Sequence, residues 1–327
     1  MTTSRQALEI RPFASSDANA AATLLAERHR RHRAAVPALD PAYEVPAATR
    51  LQIEALLADA TASGWSATRE GHLVGFLIGV ARADATWGPN VWVEAPGHAA
   101  EEPAIVRELY ATAAAQWVGE GRTNHHVLVP ATDSGLVDAW FRLDFGQQHL
   151  HAAREAPPAS FGVVPRTELT IRRATAHDIE PLVELESVLP LHLAGSPVFS
   201  RLPVSPREKI VAELESDLVD AKYHFLVAEH EGRVIGTAIG CSLEVSTGAT
   251  GLNRPPNAGY LAYAAVLPEA RGLGAGRALG EAVLVWSRSA GYDWIATDWR
   301  STNLEADRAW LGMGFRPTFR RLHRSIM

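Results

Sequence analysis

The sharpest chemical pattern in the chain lies at residues 260–279, YLAYAAVLPEARGLGAGRAL. An apolar strand pattern runs into the turn Arg271-Gly272-Leu273-Gly274-Ala275-Gly276-Arg277 and then into an amphipathic helical pattern. A turn of this kind gathers free backbone N–H groups where the helix dipole is positive. The chemistry it offers is anion binding, with a phosphate or pyrophosphate as the natural ligand. Glycine lets ligand oxygens approach the backbone, and Arg271 and Arg277 add charged donors. A P-loop needs Lys-Ser or Lys-Thr after the last glycine, where Arg277-Ala278 stands. A G-x-G-x-x-G turn begun at Gly272 puts Arg277 where helix packing needs a small residue. A glycine cluster without a ligand is the plain alternative.

Other chemistry-bearing residues are sparse. Cys241 is the single cysteine, which removes disulfide scaffolds and cysteine-rich zinc sites. His125-His126 and His149-x-His151 have no third ligand at zinc spacing, so no metal site is expected. The run Arg28-His29-Arg30-Arg31-His32-Arg33 falls at the C-terminal end of a predicted helix, where cations suit the dipole. It reads as a solvated helix end. Arg316, Arg320, Arg321 and Arg324 alternate along a final strand pattern and offer further cations for a phosphate.

The elements that position the glycine turn come from a chain of 327 residues, 47% hydrophobic and 21% charged, a composition that fits two globular domains. The net charge of −6 supplies no basic field for nucleic acid, and no apolar run nears the ~20 residues of a membrane span. No apolar segment follows the first charges, so a signal peptide is not expected and the cytoplasm is the expected location.

Internal repetition sets the organisation. Ile10-Arg11 with Asp17 matches Ile171-Arg172 with Asp178, each opening a helical pattern, at an offset of about 161 residues. Glu70-Gly71, Gly75 and Gly79 match Glu231-Gly232, Gly236 and Gly240 in the same register, and Trp140 and Phe145 match Trp310 and Phe315. Ala156-Pro157-Pro158 marks the break between the repeats. The expected division is a first domain at 1–155, a linker at 156–166 and a second domain at 167–327. Each repeat reads as strand, helix, helical stretch, hairpin, strand, helix, strand, helix, strand. That order predicts a mixed α/β layered domain in each repeat.

The spacing Arg271-x-x-Gly274-x-Gly276, with Val266-x-Pro268-Glu269 before it and Asn303 and Gly314-Phe315 after it, resembles the acyl-CoA pyrophosphate loop of the GCN5-related N-acetyltransferase (GNAT) superfamily. The order of elements agrees over residues 168–327, and the repeat extends the likeness to nearly the whole chain, so the resemblance implies an α/β (α+β) architecture of two tandem folds, each a mixed, mostly antiparallel sheet flanked by helices. The resemblance implies acetyl-CoA or another short acyl-CoA as co-substrate and a primary amine as acceptor. A small-molecule amine is the expected acceptor, with a protein N-terminus or lysine, or a non-catalytic acyl-CoA sensor, as alternatives. Nucleic acid and membrane are not expected partners, and a monomer or homodimer is the expected state. The segment at 192–208 is expected to border the acceptor.

On the same resemblance the thioester sits in a gap between strands at 260–266 and 294–299, held by backbone groups near Ala265 and Val266. Gly272, Leu273, Gly274, Ala275, Gly276 and Arg277 would hold the phosphates, and Asn303 the cofactor arm. Trp310 stands where many relatives carry an acid tyrosine, and an indole N–H is no acid near neutral pH. Tyr263 is then a substitute acid, and Asp298 and Glu244 are candidate bases. In the first repeat the matching segment, residues 91–103, has one glycine, two prolines and adjacent Glu101 and Glu102, and Asp133 stands at the position of Asn303. That half is expected to bind no CoA in the usual way and to wall the substrate cleft.

Overall fold

The computed structural model describes residues 7–84, 86–166, 168–200, 205–246 and 251–327. In chain order the first repeat gives β1 (Glu9–Pro12), α1 (Ala18–Ala35), α2 (Pro46–Leu57), β2 (Ala62–Arg69), β3 (His72–Asp84), β4 (Gly88–Val93), β5 (His98–Ala100), α3 (Pro103–Gly119), β6 (Asn124–Pro130), α4 (Ser134–Phe141) and β7 (Gly146–Glu155). The second gives β8 (Leu169–Arg173), α5 (Ile179–Ala194), α6 (Arg207–Asp217), β9 (Tyr223–His230), β10 (Arg233–Ser242), β11 (Ala258–Val266), α7 (Ala275–Ser289), β12 (Trp294–Arg300), α8 (Leu304–Gly312) and β13 (Arg316–Ser325). Both halves are mixed, mostly antiparallel sheets with flanking helices, as the resemblance implies.

Contacts group the chain into two compact units that do not follow chain order. One holds residues 1–150, 250–254 and 317–327, and the other holds 151–249 and 255–316. In the first, strands run β1-β2-β3-β4-β6-β13, with β5 added to β3. The final strand of the chain completes this sheet, pairing antiparallel with β6 from Phe319 opposite Pro130 to Ser325 opposite Asn124. In the second, strands run β8-β9-β10-β11-β12, and the end of β7 stands beside β12. Each unit is thus closed by a strand from the other sequence repeat, a departure from the division at 1–155 and 167–327.

The repeated residues build repeated interactions. Arg11 pairs with Asp17 at 2.7 Å and Arg172 with Asp178 at 2.8 Å, and in each case the aspartate also accepts a backbone N–H three residues before it. The arginine and these donors outweigh burial and hold both carboxyls down at about 2. The two Glu-Gly pairs turn the hairpins with positive φ at both residues, 53° and 78° at Glu70-Gly71 and 50° and 79° at Glu231-Gly232, as tight hairpins require. Gly79 and Gly240 let a helix tryptophan reach the sheet, since a Cβ at either would lie 2.5 Å from Trp117 or Trp286.

Three expectations change. The Arg28–Arg33 run is not a solvated end: Arg28, His29 and His32 continue the buried face begun by Ala18, Ala21, Ala22 and Leu25. Helical periodicity outranks charge there, and Arg28 and His29 reach the backbone carbonyls of Ala95, His98 and Asp40. Arg320, Arg321 and Arg324 belong to the first unit, where Arg321 lies 3.0 Å from His149 Nδ1. The segment at 192–208 opens as helix, since α5 continues through Pro190 to Ala194, and its residues 201–204 lie outside the described residues.

Adding even a methyl at Gly240 forces Trp286 out of place. Gly240→Ala is expected to lower stability by roughly 1–3 kcal/mol in chemical denaturation, whereas Gly291→Ala, where nothing lies within 4 Å of the new Cβ, tests the backbone cost alone.

Candidate functional site

The site begins with a strand that leaves its neighbour. β11 pairs parallel with β12 only from Ala258 to Tyr260, opposite Trp294 to Ala296. On its other side β11 stays paired with β10 up to Val266, through an irregularity at which Ile239 faces Tyr263 while Gly240 faces Leu261. The extra residue, Ala262, bulges the strand and swings its end away from β12. Thr297 Oγ1 donates to the Leu261 carbonyl at 3.0 Å and closes the narrow end of the gap. Beyond it the backbone of residues 264–266 faces open space.

That strand end feeds the glycine turn. Gly272 and Gly274 have φ of 89° and 83°, a conformation side chains resist, and Gly274 caps α7 from the left-handed region. The first N–H groups of α7 have no acceptor within the helix and point out of its N-terminus. Gly276 differs, because its φ is ordinary and a Cβ there would only touch Val266 at 3.6 Å. Glycine at 276 is therefore not demanded by the backbone; it leaves room at the wall of a cavity.

The cavity measures about 480 Å³ and joins residues 264–266, the turn from Arg271 to Gly276, the start of α8 at Asn303, and the α5 residues Val188, Leu189 and His192. Of the residues expected to hold a cofactor, Ala265, Val266, Arg271, Gly272, Gly274, Ala275, Gly276 and Asn303 line it. Leu273 and Arg277 stand outside the lining: Leu273 is 45% exposed, and the Arg277 guanidinium lies 3.0 Å from Glu281. Trp310 lines the cavity as a largely buried ring packed on Phe315.

The three residues expected to move protons lie elsewhere. Tyr263 gives its hydroxyl proton to the Leu185 carbonyl at 2.8 Å, and burial, with Glu186 nearby, pushes that hydroxyl above its usual range. Asp298 accepts the Tyr260 hydroxyl. Glu244 is exposed in a short 3-10 turn after β10. None of the three lines the cavity. Arg316 does not line it either; its guanidinium donates to the Leu311 and Phe315 carbonyls.

A residue that sequence reasoning missed does line it. His192 Nδ1 lies 3.4 Å from Arg271 Nη2, and because arginine only donates, Nδ1 accepts. Its Nε2 donates to Asn303 Oδ1 at 3.2 Å. Asn303 Oδ1 also accepts the Ala306 N–H at 3.2 Å, capping α8, and Glu305 holds Arg271 from the far side at 3.2 Å. His192 thus stands at the cavity wall with a polar contact at each ring nitrogen. The i, i+1, i+4 spacing of Val188, Leu189 and His192 on one helix face is the available signal, masked by Pro190.

The first unit shows the same architecture closed. β4 pairs with β6 from Asn90 to Val93, a 3-10 turn at Ala95–Gly97 intervenes, and β5 returns to β3 with Ala100 opposite Gly75. Since Gly236 faces Val266 in the second repeat, His98 occupies the position of Ala264. Its Nε2 donates to the Leu128 carbonyl at 3.0 Å, across the place where the second repeat has its gap. Arg28, at the position of Leu189, is fully buried and donates to the carbonyls of Ala95 and His98. Side chains fill the slot, and α3 starts at Glu102-Pro103 without a glycine turn. Among the described residues one cluster, Glu168, His230 and Glu231, has metal-ligand spacing, and it lies at a hairpin away from both slots.

Residues 193–315 match the model of the acetyltransferase (GNAT) family. No curated protein matches the sequence. Among solved structures, a GCN5-related N-acetyltransferase from Sphaerobacter thermophilus is 14% identical, with 97% of this chain and 95% of that one covered and a TM-score of 0.59. A tandem GNAT protein from the clavulanic acid biosynthesis pathway is 16% identical over 98% of both chains, with a TM-score of 0.50. A GCN5-related glucosamine N-acetyltransferase region of a fungal multi-domain β-N-acetylglucosaminidase is 13% identical over 98% of this chain and 38% of that one, with a TM-score of 0.54. At these identities the likeness is one of fold.

Two outcomes follow from this geometry. Gly276→Leu is expected to fill the cavity wall and abolish acetyl-CoA binding in calorimetry while circular dichroism and melting temperature stay near wild type; retained affinity would move the ligand elsewhere. Acidification is expected to weaken the first unit. Burial, with Arg28 nearby, pushes His32 and His98 down to about 3, so below about pH 6.5 the unfolded chain gains protons that the folded one refuses until near pH 3. Each of these histidines contributes up to about 1.4 kcal/mol of lost stability per pH unit across that window. Denaturation from pH 7 to pH 4 should show a shallower loss in His98→Gln than in wild type.

Proposed function

We propose, for a chain whose residues 193–315 match the model of the acetyltransferase (GNAT) family, that the second repeat binds acetyl-CoA or another short acyl-CoA and transfers the acyl group to a primary amine of a small molecule. The observation that carries this reading is the single cavity uniting the freed backbone of residues 264–266 with the glycine turn that caps α7. One end suits a thioester and the other a pyrophosphate, and the cavity between them is mostly apolar wall, as a pantetheine arm needs.

In this reading the amine nitrogen attacks the thioester carbon, a C–N bond forms, the C–S bond breaks, and the thiolate leaves. Backbone N–H groups of the β11 end stabilise the carbonyl oxygen as it gains charge. Arg271, Gly272, Gly274, Ala275 and Gly276 hold the phosphates, and Asn303 with His192 lines the arm. The proton lost by the ammonium passes to water, since His192 has a polar contact at each ring nitrogen and Glu305 is paired with Arg271. A thiolate leaves without strong acid help, which fits Trp310 at the tyrosine position.

A second reading, a non-catalytic acyl-CoA sensor, is favoured by one specific observation: Tyr263, Asp298 and Glu244 all stand outside the cavity lining. Calorimetric titration with acetyl-CoA, followed by thiol release against a panel of primary amines, separates the two. Binding at one per chain with amine-dependent thiol release is expected. Binding without release across the panel favours the sensor, and no binding contradicts both.

A further inference from the structure

The segment that the sequence marks as a linker does not merely connect. It lies against α7 at three points: the Pro157 carbonyl accepts from Arg288, the Val164 N–H donates to Glu281 Oε2 at 3.1 Å, and Arg166 grips both oxygens of Glu281, at 3.1 and 3.2 Å. Glu281 is only 5% exposed in its side chain. Burial alone would raise its carboxyl, but Arg166, the Val164 N–H and Arg277 together hold it below its usual range. A buried, ionised carboxylate therefore fixes the end of the linker beside the start of α7.

This fixing aims Arg166 at the glycine turn. A Cβ built on Gly274 would lie 2.9 Å from Arg166 Nε and 3.0 Å from its Cδ, so the side chain lies directly over the residue that caps α7. Arg166 Nη1 serves Glu281 and the Val164 carbonyl, and Nη2 serves Glu281. Its Nε–H, on the Gly274 side, and one Nη2–H have no acceptor among the described residues. The Arg166 side chain is 18% exposed, held rigid and oriented, with donors spare beside the helix N-terminus.

We propose that Arg166 is a phosphate ligand of the acyl-CoA site, a cation that the linker delivers beside Gly274 at the turn, outside the cavity lining itself. The inference rests on the acyl-CoA reading above. Held by Glu281, the guanidinium needs little ordering when the ligand arrives, and it faces the same anion as the α7 amides. The linker is then part of the cofactor site.

The test uses the full chain, wild type and Arg166→Gln, titrated calorimetrically with CoA, dephospho-CoA and pantetheine. The variant is expected to bind CoA about tenfold more weakly or worse, the loss of one charge-assisted contact, and pantetheine unchanged. A loss shared by dephospho-CoA assigns Arg166 to the pyrophosphate, and a loss confined to CoA assigns it to the 3′-phosphate; both support the proposal. Equal loss for pantetheine, or none for any ligand, overturns it. Glu281→Gln breaks the linker's grip but keeps the guanidinium, and is expected to preserve the preference for CoA over pantetheine; if it loses that preference as Arg166→Gln does, Arg166 is only a staple and the proposal fails. Wild type that binds no CoA would instead remove the underlying reading.

Discussion

Everything at the candidate site depends on how few hydrogen bonds β11 makes with β12. Three residues of parallel pairing, then a bulge at Ala262, leave the end of β11 bound on one side only. Backbone polar groups that a continuous sheet would have consumed are free for a ligand. The same swing aims the chain at the glycine turn, so the unpaired amides of the strand and of α7 open on one cavity. A straight β11 paired along its length with β12 would abolish the thioester end of the site even with every glycine in place.

The duplicated fold shows what happens when that opening is not kept. Its structural signatures persist in both copies: the arginine–aspartate pair, the Glu-Gly hairpin turn, and the glycine under a helix tryptophan. What differs is the slot. His98 replaces a small residue, Arg28 replaces a leucine, and both are satisfied by backbone carbonyls across or beside the gap. Burying an arginine is costly, and burial pulls Arg28 down to about 9 although Asp133 nearby opposes the shift. It is tolerated because the unpaired strand carbonyls need donors as much as the guanidinium needs acceptors. The first copy therefore satisfies with its own side chains the groups that the second leaves for a ligand.

Much of this was legible in the sequence, and the reasons divide cleanly. The hairpins, the repeat and the glycine turn could be read because they rest on local backbone demands: positive φ at Glu231-Gly232 and Gly274 leaves a mark in the residue types. The closing of each unit by the other repeat's last strand left none, since edge pairing is chosen by which strand arrives and any alternating segment will serve. The burial of Arg28 and His32 was hidden because charge was weighed above helical period. His192 was hidden behind Pro190, which reads as a helix end but sits inside α5. Arg166 sat in a segment read only as a connection. Tyr263 and Asp298 stand on the strands that flank the gap, but tertiary contacts that leave no mark in the sequence commit their polar atoms to the Leu185 carbonyl and the Tyr260 hydroxyl.

The central claim is that the two copies differ in one respect, an open slot against a filled one. Amide hydrogen exchange of the intact chain with and without acetyl-CoA tests it directly, because ligand contact slows exchange where amides are bonded or covered. The account predicts added protection at residues 264–277 and 303–310, and no change at residues 91–103. Protection at 91–103, or none at 264–277, would contradict it.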